Sequence, residues 1–428
     1  MPYRQVELLR VYAWGNYVGA IARTASRRGY VFEYDPSWVR RGLELAPQLM
    51  PVAGRRQQYA FDTLSAETFY GLPPLLADSV PDRFGNSLIG AALAREGVQP
   101  GQVSALDRLA YVGARGMGAL TYEPDNTPIH RPTVVLAEIV EAARAAIRGD
   151  LTDQDVRTDA MNQLMTVGTS AGGARAKAVL AWNRTTNEMR AGGIGAPEGF
   201  EQWLLKFDGM GVDQQLGDTQ DYGRTEYAYY LMAGASGVTM SESRLLHEGG
   251  RAHFMTKRFD RPGAETRLHM QSLCALGALD FNEIGVHEYA SLLLMVDALR
   301  PSDLEEAFRR IVLNVLAFNH DDHTKNFSFL MTEDGNWSLS PAYDVTFAYD
   351  PSNRWTAKHL MGVDGRFEGI TRADLLRLAD RFAVPGAREV VDQVAAAVGR
   401  WGEFADEAGL SAARTAEVGT HLWTSSPA

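Results

Sequence analysis

His320-Asp321-Asp322-His323-Thr324-Lys325-Asn326-Phe327 is followed, after one hairpin-length interval, by Pro341-Ala342-Tyr343-Asp344. Read as chemistry, these stretches hold a carboxylate, an amide five residues later and a second carboxylate downstream. Phosphoryl transfer needs little covalent help from a protein. It needs a carboxylate to orient the attacking hydroxyl and oxygen ligands to hold metal-bound nucleotide. Asp321, Asn326 and Asp344 match those tasks. The intervening Phe327-Ser-Phe-Leu-Met331, Asp334-Gly335 and Trp337-Ser-Leu-Ser340 read as a hairpin with a type I′ turn signal, which would fold Asp344 back beside Asn326. Upstream, Leu304, Phe308, Ile311, Val312, Val315 and Leu316 recur at helical spacing and predict a helix that delivers the chain to Asp321. The same run admits a second reading, a metallohydrolase site built from His320, Asp321, Asp322 and His323. Adjacent residues rarely converge on one ion, and no other His/Asp cluster in the sequence completes such a set.

Working outward, phosphoryl transfer also calls for an anion cradle and a cation on the phosphates. Ser170-Ala171-Gly172-Gly173-Ala174-Arg175-Ala176-Lys177 is a small-residue loop between two apolar runs, and its backbone N–H groups can approach phosphate closely. It is not a Walker A loop, because no Gly-Lys-Ser/Thr follows, and it lacks G-x-G-x-x-G; an ordinary turn is the alternative. In Trp203-Leu-Leu-Lys-Phe-Asp208, alternation predicts a strand with Trp203, Leu205 and Phe207 on one face and Lys206 on the other. Lys206 is the candidate phosphate cation. Glu226, on a Tyr- and Ala-rich helix expected over 222–235, is its candidate ion-pair partner; a solvated edge-strand lysine is the alternative.

The first hundred residues differ from the rest. Strand-like runs over 6–11, 17–22 and 29–34, with turn chemistry at Gly15-Asn16, predict a small β-rich subdomain. Asp82-Arg83-Phe84-Gly85-Asn86 reads as a loop entering a helix, 134–147 has helix chemistry, and 253–260 reads as another strand. The expected organisation is a β-rich then helical segment over 1–105, a segment over 106–262 carrying the small-residue loop and Lys206, and a helical segment over 263–428 carrying Asp321.

Composition bounds the function. With 428 residues, 45% hydrophobic and 22% charged, the chain is of ordinary globular type. A formal net charge of -11 argues against this chain alone gripping a nucleic-acid backbone, so any DNA role would be indirect, through a partner. The single cysteine, Cys274, supports neither a disulfide framework nor a zinc cluster and is expected to be a buried, inert thiol. Neither a signal-peptide apolar core nor a run of about 18 apolar residues is found, so a cytoplasmic protein without membrane contact is expected.

Several of these segments occur together and in order: Phe32-Glu-Tyr-Asp-Pro-Ser-Trp38, Ser170 to Lys177, Leu205-Lys206, Lys257-Arg258-Phe259-Asp260-Arg261, Asp321 to Phe327 and Pro341 to Asp344. Taken as a set they resemble the HipA family of serine/threonine kinases, toxins of HipBA-type toxin–antitoxin systems, across nearly the whole chain. The resemblance implies an α+β, bilobal, phosphoinositide-kinase-like fold with a β-rich N-terminal subdomain and a mostly helical C-terminal lobe. It implies ATP and Mg²⁺ as cofactors, with Asp321 as catalytic base and Asn326 and Asp344 as metal ligands. Lys206 would bind the phosphates, and Ala171, Gly172, Gly173, Ala174 and Lys177 would form the nucleotide loop. Lys257, Arg258 and Phe259 correspond to the hinge against adenine, and His323, Lys325 and Tyr343 fall beside the nucleotide. Ser170 falls where the family places an autophosphorylated serine; a phosphate there would repel ATP phosphates and inhibit. Implied partners are a HipB-like helix-turn-helix antitoxin, which supplies the DNA contacts, and a protein substrate such as an aminoacyl-tRNA synthetase. Asp344 is followed by Val345-Thr346, as this family leads one to expect but unlike the Phe-Gly of ordinary protein kinases, and Arg175-Ala176 precedes the loop lysine where other family members carry Gln-Glu or Gln-Pro. The competing functions are a small-molecule or lipid kinase and a catalytically silent corepressor scaffold.

Overall fold

A computed structural model of the chain describes residues 3–23, 29–54, 57–95, 97–126, 139–140, 143, 176–193, 195–208, 221–263 and 265–423. Two compact units emerge, one from Met1–Gln220, Leu246–Gln271 and Met331–Asn336, the other from Asp221–Leu245, Ser272–Leu330 and Trp337–Ala428. This division is coarser than the three segments expected from sequence, and it assigns the 222–235 helix to the second unit. The fold is α+β, with a β-rich N-terminal region and a helical C-terminal part. Among the described residues no helix is long and apolar enough to cross a membrane.

The first unit opens with an antiparallel sheet ordered β4-β3-β2-β1-β5, from β1 (Leu8–Ala13), β2 (Asn16–Arg23), β3 (Tyr30–Tyr34), β4 (Gln58–Tyr59) and β5 (Leu120–Glu123). Alternation dictates its faces: Leu9, Val11 and Ala13 are fully buried while Leu8 is 50% exposed. Trp14 and Gly15 both take positive φ, as a two-residue hairpin loop of the primed type requires. Next to β3, Asp35 caps the short Pro36–Arg41 helix by accepting from the Ser37 N–H, and Pro36 sits in its first turn, where its missing N–H costs nothing. That helix buries Trp38 completely, which is why the 32–38 motif reads as a unit.

A second antiparallel sheet carries the lysines. β6 (Lys177–Trp182), β7 (Met189–Ala191), β8 (Glu201–Lys206), β9 (Ser243–Glu248) and β10 (Arg251–Lys257) lie in the order β7-β6-β8-β10-β9. Trp203, Leu205 and Phe207 are buried and Lys206 is partly exposed, as the alternation predicts. They pack with Phe84, Leu88, Leu93, Leu180, Trp182 and Met255 into one core. Each fully buried large apolar side chain there contributes on the order of 2 kcal/mol. The helix supplying Phe84 and Leu88, Arg83–Arg95, is started by Asp82, whose carboxylate accepts the Gly85 N–H at 2.7 Å.

The second unit packs helix Leu304–Leu316 against Ala387–Val398, and Tyr222–Ala235 against Trp401–Glu407. Glu305 and Glu306 occupy the first turn of Leu304–Leu316 and pair one turn on with Arg309 and Arg310, at 2.7 and 2.8 Å. Its apolar stripe, Phe308, Ile311, Val312 and Leu316 included, is buried. The helix ends at Leu316, and Phe318 turns the chain with φ of 52°. Strands Ser328–Met331 and Trp337–Leu339 follow, with the Ser340 N–H donating to the Ser328 carbonyl at 2.9 Å. The turn between them is not type I′. Five residues, 332–336, connect the strands, and of Asp334 and Gly335 only Gly335 has positive φ. Thr332 decides this: its hydroxyl bonds the Asp334 carboxylate and accepts the Asn336 N–H at 3.2 Å, closing a wider loop. Cys274 is buried, within helix Leu273–Gly277.

Candidate active site

The loop from His320 to Phe327 is irregular except for one 3₁₀ turn, Thr324–Asn326. It is tied down on both sides. Before Asp321, the His320 N–H donates to the Ala348 carbonyl and the Ala348 N–H to the Phe318 carbonyl, both at 3.1 Å. After it, the Tyr343 hydroxyl donates to the Lys325 carbonyl at 2.6 Å and accepts from Ser328 Oγ. Tyr343 and Ala348, on either side of Asp344, therefore bond the 318–328 segment that carries Asp321 and Asn326.

Within the loop the side chains divide their work. Asp321 is about half exposed, at 51%, with one carboxylate oxygen 3.8 Å from His323 Nε2. Asn326 donates its amide nitrogen to the Asp321 carbonyl at 2.7 Å, which leaves the amide oxygen as the atom to meet a cation. Asp344 adopts φ of 53°, a left-handed conformation that Asp tolerates better than most residues. Such backbone costs on the order of 1 kcal/mol and gathers at functional sites. An amide oxygen and a carboxylate on opposed segments are hard oxygen donors of the kind Mg²⁺ prefers, so the residues present fit that ion. Lys325 holds its ammonium 4.7 Å from the Phe281 ring, and the His323 ring lies 5.4 Å from the same ring.

The four residues of the metallohydrolase alternative do not converge on one point: Asp321 and His323 stay together, while Asp322 and His320 turn to other partners. Asp322 is fully buried, and its oxygens are taken by the Tyr289 hydroxyl, His359 Nδ1 and the Leu360 N–H, the latter two at 2.7 Å. His320 engages the Thr356 carbonyl at 3.0 Å and stacks on Phe318. Among the described residues no group of three or more His, Cys, Asp or Glu side chains is arranged to hold a metal ion.

In the first unit, Lys206 pairs in register with Lys177 on β6 and Phe254 on β10, with its Nζ 5.7 Å from the Phe254 ring. Lys177 is buried and ion-paired to Asp82 at 2.8 Å, so its charge is committed within the unit. Lys257 pairs with Glu201 at 2.6 Å. Arg258, expected at the adenine hinge, turns inward: it is buried, grips Asp260 through two nitrogens at 2.9 and 2.7 Å, and donates to the Gly116 carbonyl. Phe259 between them is half-buried. Glu226 is buried on the Tyr222–Ala235 helix of the second unit. Ser170, Ala171, Gly172, Gly173 and Ala174 lie outside the described residues. Sequence reasoning gave no role to Asp82, Tyr289 or His359. Their partners are 95, 33 and 37 residues away for Lys177–Asp82, Tyr289–Asp322 and His359–Asp322, and no local spacing encodes them.

Two buried histidines make stability pH-dependent. Burial, reinforced by the neighbouring His359, depresses His320 to about 4; burial depresses His269 to about 4 as well. Each titrates near 6.5 when unfolded. As pH falls from about 6.5 to about 4, the unfolded chain takes up protons that the folded chain refuses, so this stability is complete above the window and lost across it. The expected loss is on the order of 3 kcal/mol per histidine by pH 4. Thermal melts between pH 8 and 4 should show the decline, and His269→Gln should flatten part of it; parallel profiles for parent and variant would refute the assignment.

Residues 169–401 match the family model described as HipA-like C-terminal domain, and residues 9–123 match that described as HipA N-terminal domain. A Haemophilus influenzae protein described as a putative kinase is 28% identical over 101 residues, which covers 21% of this chain and only 29% of that relative. HipA of Shewanella oneidensis, solved with HipB and operator DNA, aligns over 97% of this chain and 96% of its own, with a TM-score of 0.65 and 16% identity, a likeness of fold. The Helicobacter pylori proinflammatory kinase CtkA aligns over 52% of this chain and 88% of its own at 14% identity and a TM-score of 0.34, too low to weigh here.

Proposed function

The chain belongs to the HipA family, its residues 169–401 matching the C-terminal-domain model, and from that premise we propose that it is a serine/threonine protein kinase using ATP and Mg²⁺. The observation that carries the reading is the double tie between the Asp321–Asn326 loop and the Asp344 segment, at Ala348 and at Tyr343. It supports a site in which Asp321 orients the acceptor hydroxyl while Asn326 and Asp344 hold the metal. When bound, Mg²⁺ would neutralise charge on the phosphate oxygens. Asp321 is exposed enough to reach an incoming hydroxyl, and its carboxylate would accept that proton as the oxygen attacks. Lys206 would draw the phosphates, with Glu226 fixing its ammonium, and the 170–174 segment would cradle them. Lys257 and Phe259 would border adenine, with His323, Lys325 and Tyr343 near the nucleotide.

In this reading the chain is the cytoplasmic toxin of a type II toxin–antitoxin pair, held by a HipB-like helix-turn-helix antitoxin that contacts DNA. Its target would be a translation factor of the aminoacyl-tRNA synthetase class, its effect growth arrest and persistence, and its own brake phosphorylation of Ser170. The test is transfer from γ-labelled ATP by the purified chain, with phosphosite mapping, in Mg²⁺ and in EDTA. Label on Ser170 and on an added synthetase, lost in EDTA and reduced about hundredfold in Lys206→Met, is expected. Absence of label on any protein while the antitoxin still binds would leave the scaffold reading in its place.

A further inference from the structure

We propose that Asp322 is the positioning residue of this site: its carboxylate, removed from water, pins the loop so that Asp321 is held outward toward the reacting hydroxyl. The proposal rests on the reading of Asp321 above and deepens it by assigning what orients Asp321 itself. The two neighbouring carboxylates differ completely in environment, 0% exposure at Asp322 against 51% at the Asp321 side chain. A carboxylate removed from water in that position is strongly disfavoured if left without donors. Four donors meet it: the Tyr289 hydroxyl, His359 Nδ1 at 2.7 Å, and the N–H groups of Leu360 and Met361 at 2.7 and 3.4 Å.

Those donors come from two distant parts of the second unit. Tyr289 opens helix Tyr289–Leu299, and Met361 belongs to strand Met361–Gly362, which pairs in parallel with His287–Glu288 immediately before that helix. Asp322 therefore closes the junction of a helix start and a strand pair. A polar chain backs it up. Asn319 donates to Asn314 at 2.9 Å and Asn314 to the Tyr289 hydroxyl at 3.3 Å, so every donor points toward Asp322. Burial and the adjacent carboxylate hold the Tyr289 hydroxyl well above its usual range, which keeps it a donor. On the far side the His320 ring lies 4.1 Å from the His359 ring, tilted 44° to it. Such an arrangement serves Asp321 because misplacing a reacting group by about 1 Å can cost about a hundredfold in rate.

The test compares the full-length parent with Asp322→Asn and Tyr289→Phe, measuring kcat, KM for ATP, melting temperature and amide hydrogen exchange. Asp322→Asn should lower kcat about a hundredfold and Tyr289→Phe about tenfold, with KM for ATP changed less than about twofold. Exchange of residues 319–327 and 360–361 should quicken in Asp322→Asn while helix Leu304–Leu316 stays protected. Parental kcat in both variants, or a loss matched by an equal loss of folded protein, would overturn the proposal. Should the parent transfer no phosphate, the kinase reading fails by itself, and exchange still decides the anchor: quicker loop exchange supports it, and unchanged exchange overturns it.

Discussion

Asp321→Asn should reduce phosphoryl transfer by about a thousandfold or more, within the range a lost general base produces, while stability stays within about 0.5 kcal/mol of the parent. The two halves of that expectation have separate origins. The Asp321 side chain is about half exposed, with His323 Nε2 3.8 Å from one oxygen, so solvent screens its charge. Asn326 bonds the backbone carbonyl of residue 321, a contact the substitution keeps. Only the capacity to take a proton is lost. Steady-state transfer from labelled ATP, beside a urea melt of the same preparation, measures both. An active variant would remove Asp321 from the role of base, and an unfolded one would show that its charge holds the loop.

Asp260→Ala should have the opposite profile, a loss of about 3–5 kcal/mol in stability whatever the chemistry does. Asp260 is buried between Arg258 and Arg261, which it meets at 2.7 Å each, and it also accepts the Gly118 N–H at 2.8 Å. Burial alone would raise its carboxyl; the two guanidinium groups outweigh that and hold it below the usual range. Removing it strands two buried cations. Both also donate to the Gly116 carbonyl, which cannot neutralise them. Denaturant unfolding should show the midpoint collapse, with partial recovery when Arg258 is replaced by Met in the same chain. A midpoint near that of the parent would mean that water reaches the cluster.

These contrasts show which parts of the site local sequence can carry. The five-residue interval from Asp321 to Asn326 and the alternation through Trp203, Leu205 and Phe207 are local, and the folded chain keeps both. The turn at Asp334-Gly335 was legible as a turn but not as to type, because a threonine hydroxyl two residues upstream chose the wider loop. Roles that depend on tertiary pairing were not legible. The family resemblance puts Arg258 in the hinge stretch, and its side chain is ion-paired in the core; Asp322 reads as a companion of Asp321 and is buried where Asp321 is half exposed. Donors 33 to 39 residues away hold Asp322, whereas a carboxylate two residues on and the distant Gly116 carbonyl hold Arg258.

The left-handed backbone at Asp344 narrows what evolution can place there. Glutamate would keep the charge but lose the local side-chain-to-backbone bonding that eases the Cβ clash for the shorter aspartate, whereas glycine and asparagine would keep the backbone and lose the carboxylate. Under the proposed metal-ligand role, conformation and chemistry filter the same codon independently, and aspartate passes both filters.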